Sequence, residues 1–207
     1  MILTIRHEAL RQKSEPIVLP DDNLQGLIDS LDEQVDGLGK IGLAANQIGI
    51  LKKVGVIKFS PQVWNGEAEK NNNKKSLVII KNRAVGMTEM PSPNLSEWPK
   101  LDLIDKEMKV ILINPEIISR DLEYDVREGC LSYPGVFATI KRYMVCTVKN
   151  MKLDGTYEEF EARGLLAQAC QHEIDHMNGI TFENHFSPVQ KMISQNKIKR
   201  IKSKVVK

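Results

Sequence analysis

The sequence contains no apolar run approaching the roughly 20 residues that a membrane-spanning helix requires. Its longest apolar pieces are as short as Val110 to Ile113, and Arg6 interrupts any signal-peptide core at the amino end. These absences lead us to expect a soluble, cytoplasmic protein with no membrane partner. Cysteine is scarce: the 3 present, Cys130, Cys146 and Cys170, are too few and too scattered for a disulfide framework. Each is expected to be reduced, either as buried filler or as a thiolate with a task. No internal repeat is visible, which argues against solenoid and fibrous architectures. With 4 histidines in 207 residues, any pairing among them is informative. The remainder, 42% hydrophobic with 13 Gly, is ordinary globular composition, and its length suits a single domain.

The net charge of +2 conceals an asymmetry. Residues 191–207 carry seven Lys/Arg and no acid, whereas residues 1–190 carry 22 basic against 27 acidic side chains, a balance of −5. A basic tail on an acidic body suits contact with a polyanion, and equally suits a solvated helix end.

After Pro20 and Asp21, apolar residues recur at Leu24, Leu27, Ile28, Leu31, Val35 and Leu38, the spacing of an amphipathic helix. Strand-like runs follow at 54–59, 77–80, 110–113, 143–148 and 157–162, several bounded by Gly, Asn or Pro. Together they predict an α+β fold of short antiparallel strands packed on helices. Between about 60 and 108 the composition shifts to KNNNKK and PSPNLSEWP, which reads as a long surface excursion. Trp64 and Trp98 both lie inside it and are expected to pin it to the body.

Residues 172–176 read His-Glu-Ile-Asp-His. On a helix, two histidines four residues apart project about 40° apart and can reach one metal, while Glu173 beside the first can reach a nearby water. Leu165, Ala169, His172, Glu173 and His176 share one helix face, so the polar groups continue an apolar stripe. Buried His and Glu need a partner, and a divalent cation is a natural one. Two ligands leave a catalytic site one short. Cys130, in Glu128-Gly129-Cys130-Leu131-Ser132, is the best candidate for the third, because Cys170 faces elsewhere on the helix and Cys146 sits in an apolar strand. A third stretch, residues 42–49 (GLAANQIG), flanks the amide of Gln47 with small residues that allow a close approach to a ligand.

In this order, GLAANQIG, EGCLS (128–132) and QHEIDH (171–176) resemble the three motifs of peptide deformylase. The resemblance extends to Ile113-Asn114-Pro115-Glu116, Gly164-Leu165-Leu166 and Ser187-Pro188, but not to the 60–108 excursion; many relatives carry Gly where this chain has Lys40. It implies a single domain spanning 1–207, with antiparallel sheets around a central HExxH helix, an N-terminal helix and a basic C-terminal helix at about 188–205. It implies that Cys130, His172 and His176 bind one divalent metal, Fe2+ in cells, with Zn2+, Ni2+ or Co2+ in preparations. Glu173 would be the general acid/base, and Gln47 with the backbone N–H of Leu131 the oxyanion hole. Gly42 and Gly129 would hold the peptide backbone, Ile41 and Leu165 would receive the methionine, and Glu128 would pair with Arg142. The implied reaction removes the formyl group from N-formylmethionyl nascent peptides and releases formate. The tail looks like the helix that docks such enzymes on the ribosome, so truncation after about Lys191 is expected to spare activity on short peptides. Two competing readings are a zinc endopeptidase, with Glu183 or His185 as downstream ligand, and a degenerate relic kept for ribosome binding. His7 and His185 are otherwise read as surface or packing residues.

Overall fold

A computed structural model describes residues 1–38, 41–59 and 108–203. The 60–107 stretch with its expected strand at 77–80, Trp64, Trp98, Lys40 and the final residues from Lys204 lie outside the described residues. Helix α1 spans Leu24–Leu38, as its periodicity predicts. Asp21 starts it by accepting from the Asn23 N–H at 2.9 Å, and Leu24, Ile28, Leu31 and Val35 form its buried face. Three strands follow, β1 (Gly42–Ala44), β2 (Val54–Phe59) and β3 (Met108–Ile113), in an antiparallel sheet ordered β1-β2-β3. A second antiparallel sheet, β4-β5-β6, comprises β4 (Glu116–Gly129), β5 (Phe137–Met151) and β6 (Tyr157–Arg163).

Strand β6 turns directly into α2 (Gly164–Met177), a turn that Gly164 makes at φ +55, in the left-handed region that favours glycine. Helix α2 lies between the two sheets. Its Leu166, Ala167, Cys170, Ile174 and Met177 meet Ala44, Ile57 and Leu112 of the first sheet and Cys146, Val148, Phe160 and Ala162 of the second. Gly55 permits this approach, since a Cβ there would stand 2.7 Å from Met177 Cε. Asn150 of β5 ties the sheets together, accepting from the Ile113 N–H and donating to Ile111 O, and Asn114 secures the N-terminal segment by bonding both N–H and C=O of Ile17.

The last helix, α3 (Pro188–Ser203), starts with Ser187 and Gln190 capping each other's N–H groups at 3.3 and 3.1 Å. Its apolar residues fall into two groups, and only one of them meets the body. Ile198 and Ile201 are buried with Ile5, Cys130, Tyr133, Phe182 and Phe186, whereas Val189, Met192 and Ile193 are 60–70% exposed. Among the described residues no helix is long and apolar enough to cross a membrane.

Candidate metal centre

Three pieces of chain converge on one end of α2. Strand β4 delivers Cys130 into a turn closed by the Tyr133 N–H on Cys130 O (2.9 Å), and α2 supplies His172, Glu173 and His176. Strand β1 and the short turn Ala45–Ile48 supply Gly42 and Gln47.

Cys130 Sγ and one ring nitrogen from each of His172 and His176 lie within 4.8 Å of one another, with Sγ 3.2 Å from His176 Nε2. His172 Nδ1 lies 2.7 Å from Glu128 Oε1, so its proton sits on that side and Nε2 is left for a metal. Burial alone would raise the Cys130 thiol, but the combined pull of His176 and His172 lowers it to about 5, which favours the thiolate a metal needs. This donor set, one soft thiolate and two imidazoles, fits iron, zinc, nickel or cobalt and is unsuited to magnesium or calcium. Cys146 and Cys170 lie in the apolar core away from this group, where burial pushes the first thiol to about 12 and the second well above its usual value.

Glu173 is 3% exposed and its Oε2 is buried without a partner. Burial, opposed by His172 and His176, pushes its carboxyl up to about 7, near where a group can both take and give a proton. Its Oε1 lies where Gly42 lacks a side chain: a Cβ at Gly42 would stand 2.5 Å from it. Gln47 accepts from the Ala44 N–H through Oε1 at 2.9 Å, which aims its amide at Ser132 Oγ (3.3 Å) and Cys130 Sγ (3.9 Å). Leu131 follows Cys130 in the same turn, Gly129 closes β4 opposite Phe137, and Ile41 and Leu165 pack half-buried beside the α2 core.

Behind His172 stands a charged network. Glu128 accepts two bonds from Arg142, at 2.8 and 3.1 Å, and one from Gln168 at 3.2 Å. Burial would raise its carboxyl, but His172 and Arg142 hold it far below the usual carboxylate range. Sequence reasoning reached Glu128 and Arg142 but missed Gln168, Asp175 and Asn46. Asn46 is wholly buried and donates to His176 O at 2.5 Å, tying the first motif to the third. Its place beside Gln47 was the only sign of this in the sequence.

A family model described as polypeptide deformylase matches residues 1–192. The chain belongs to the peptide deformylase family. The peptide deformylase of Thermodesulfovibrio yellowstonii is 34% identical over 192 residues, 93% of this chain and 92% of its own. That of Erythrobacter litoralis is 33% identical over 205 residues, covering 97% and 96%. The crystal structure of a peptide deformylase from Legionella pneumophila superposes with a TM-score of 0.68 at 30% identity, covering 98% of this chain and 94% of that one. The peptide deformylase fold, antiparallel sheets around a central helix with further helices near both ends, is therefore the fold of this chain. Its activity is that of the family, metal-dependent hydrolysis of the formyl group from nascent peptides.

Proposed function

We propose that Cys130, His172 and His176 hold one divalent cation, Fe2+ in cells and Zn2+, Ni2+ or Co2+ in preparations, in a single deformylase domain spanning 1–207. The observation that carries this reading is the convergence of three ligand atoms within 4.8 Å, beside a buried carboxylate that has an unpartnered oxygen. When bound, the cation supplies Lewis-acid polarisation and lowers the pKa of a water toward neutrality. Glu173 takes the proton of the attacking water at its free oxygen and passes it to the departing amino nitrogen, leaving formate and a free amino terminus. Gln47 Nε2, its other end anchored on Ala44, donates to the oxygen that gains charge, with the Leu131 N–H as second donor. Each such donor is typically worth about 3 kcal/mol in the transition state. Gly42 and Gly129 hold the peptide backbone extended, and Ile41 and Leu165 receive the methionine.

The endopeptidase alternative needs a downstream ligand, and His185 is instead engaged with Asp175 at 2.8 Å. The relic alternative sits poorly with a chain that keeps Glu173, Gln47 and all three candidate ligands. The cytoplasm and the ribosome complete the proposal: α3 presents Val189, Met192 and Ile193 to solvent among basic residues, a surface suited to ribosomal RNA and protein. The decisive test is Glu173→Gln. It should retain metal, measured by elemental analysis, while deformylation of a short formyl-methionyl peptide falls at least about a hundredfold, the scale of a lost acid/base group. Undiminished turnover overturns the assignment.

A further inference from the structure

His185 sits in the short turn Phe182–His185 that follows α2, apart from all three motifs. Its Nε2 donates to Asp175 Oδ2 at 2.8 Å, and the same oxygen accepts from Arg142 Nη1 at 2.5 Å. The other two nitrogens of the Arg142 guanidinium grip Glu128, and Glu128 fixes the ring of His172. The side chains of Arg142 and Glu128 are each 4% exposed, Asp175 is 20% exposed and His185 27%, so the chain of bonds runs from the interior to the surface. A guanidinium is a planar fork whose direction is set by what it grips at each end. With Asp175 free to swing, the fork that aims Glu128 would have one fixed end.

We propose that His185 is a positioning residue of the metal centre: by holding Asp175 it fixes Arg142, and through Arg142 and Glu128 the orientation of the His172 ring. This rests on the reading of His172 as a ligand. Groups that orient a metal-bound histidine directly are typically worth about 10–100-fold in metal affinity. His185 acts through three intermediaries, and the expected effect is smaller, about threefold to tenfold in the rate of metal loss.

The test uses the full chain loaded with Co2+, whose visible spectrum reports ligand geometry, and follows release to a chelator. His185→Ala should shift the spectrum and speed release about threefold to tenfold, while His185→Gln, which restores an N–H donor, should return both toward the parent. His185→Leu keeps bulk without the donor and gives the same contrast if the alanine variant does not fold. A spectrum and release rate unchanged in both His185→Ala and His185→Leu, or a glutamine variant that behaves like them, overturns the proposal. His172→Ala is the control: it should abolish the native cobalt spectrum, and survival of that spectrum would overturn the ligand reading itself and not the His185 step alone.

Discussion

Helices α2 and α3 have nearly the same length, 14 and 16 residues, and opposite relations to the molecule. In α2 ten of the 14 residues are buried, pressed between two sheets, and Gln168, Gln171, His172 and Asp175 meet partners from distant strands. In α3 the body receives Ser194, Ile198 and Ile201, and Val189, Met192 and Ile193 face water. A helix held on all sides has its residues dictated by its neighbours, so a small change there displaces chemistry. A helix held along one line can carry a second surface for another partner.

This contrast breaks most sharply at Gly42, against α2. Gly42→Ala puts a methyl group where the Glu173 carboxylate lies, 2.5 Å from Oε1. Deformylation should fall by a hundredfold or more, on the scale of a lost acid/base group, with bound metal retained by elemental analysis. Normal activity would show that the carboxylate has room elsewhere. At the ligands, Cys130→Ser should cost most of the metal affinity, because a neutral hydroxyl replaces a thiolate. Cys146→Ser and Cys170→Ser should retain stoichiometric metal, and equal losses at all three would refute the choice of ligand.

On α3 the expected effect is on stability. Ile201→Ala removes a buried side chain and should lower unfolding free energy by about 2–4 kcal/mol, read by denaturant titration. The smallest effect sharpens the comparison furthest. Changing Val189, Met192 and Ile193 together to Ser should leave the unfolding midpoint and the turnover of short peptides nearly unchanged, while ribosome co-sedimentation at low salt is lost. Equal pelleting of parent and triple variant would leave α3 as a merely solvated helix. This replaces the simpler truncation after about Lys191, which on the sequence was expected to spare activity on short peptides while abolishing ribosome co-sedimentation. Truncation there removes Ile198 and Ile201 from the cluster that contains Cys130, so it would disturb the centre as well as the tail.

The parts of this molecule that were legible in the sequence are those whose periodicity or spacing answers to a single rule. Helix α1 follows from Leu24, Ile28, Leu31 and Val35, and His172 and His176 follow from a four-residue step on a helix. Strand β4 was not legible. Among the described residues it is an edge strand, its residues mostly half-buried or exposed on both faces, so Arg120, Asp121, Glu123 and Asp125 hide the apolar alternation. A shift of register between Ile117 and Ser119 and a positive φ at Leu122 break its period further. In α3 both stripes have helical spacing, and periodicity cannot say which one faces the body. Asp175 lies inside a recognised motif, yet its meeting with Arg142 and His185 arises only when β5 and the turn after α2 close around it. Cys130 became a candidate from its setting next to Gly129, but its meeting with the two histidines comes from the turn that ends β4.

The packing of Ile198 and Ile201 beside Cys130 has a consequence for how the protein ages and is cut. A cation that binds only the folded centre adds its binding free energy to the whole cooperative unit, and α3 is part of that unit through the shared cluster. Lys191, Lys197 and Lys199 of α3 are exposed, so fraying of this helix is what a trypsin-like protease would detect. Clipping within residues 191–200 should slow when metal is added and quicken with a chelator, making the far end of the chain a gauge of occupancy at the centre.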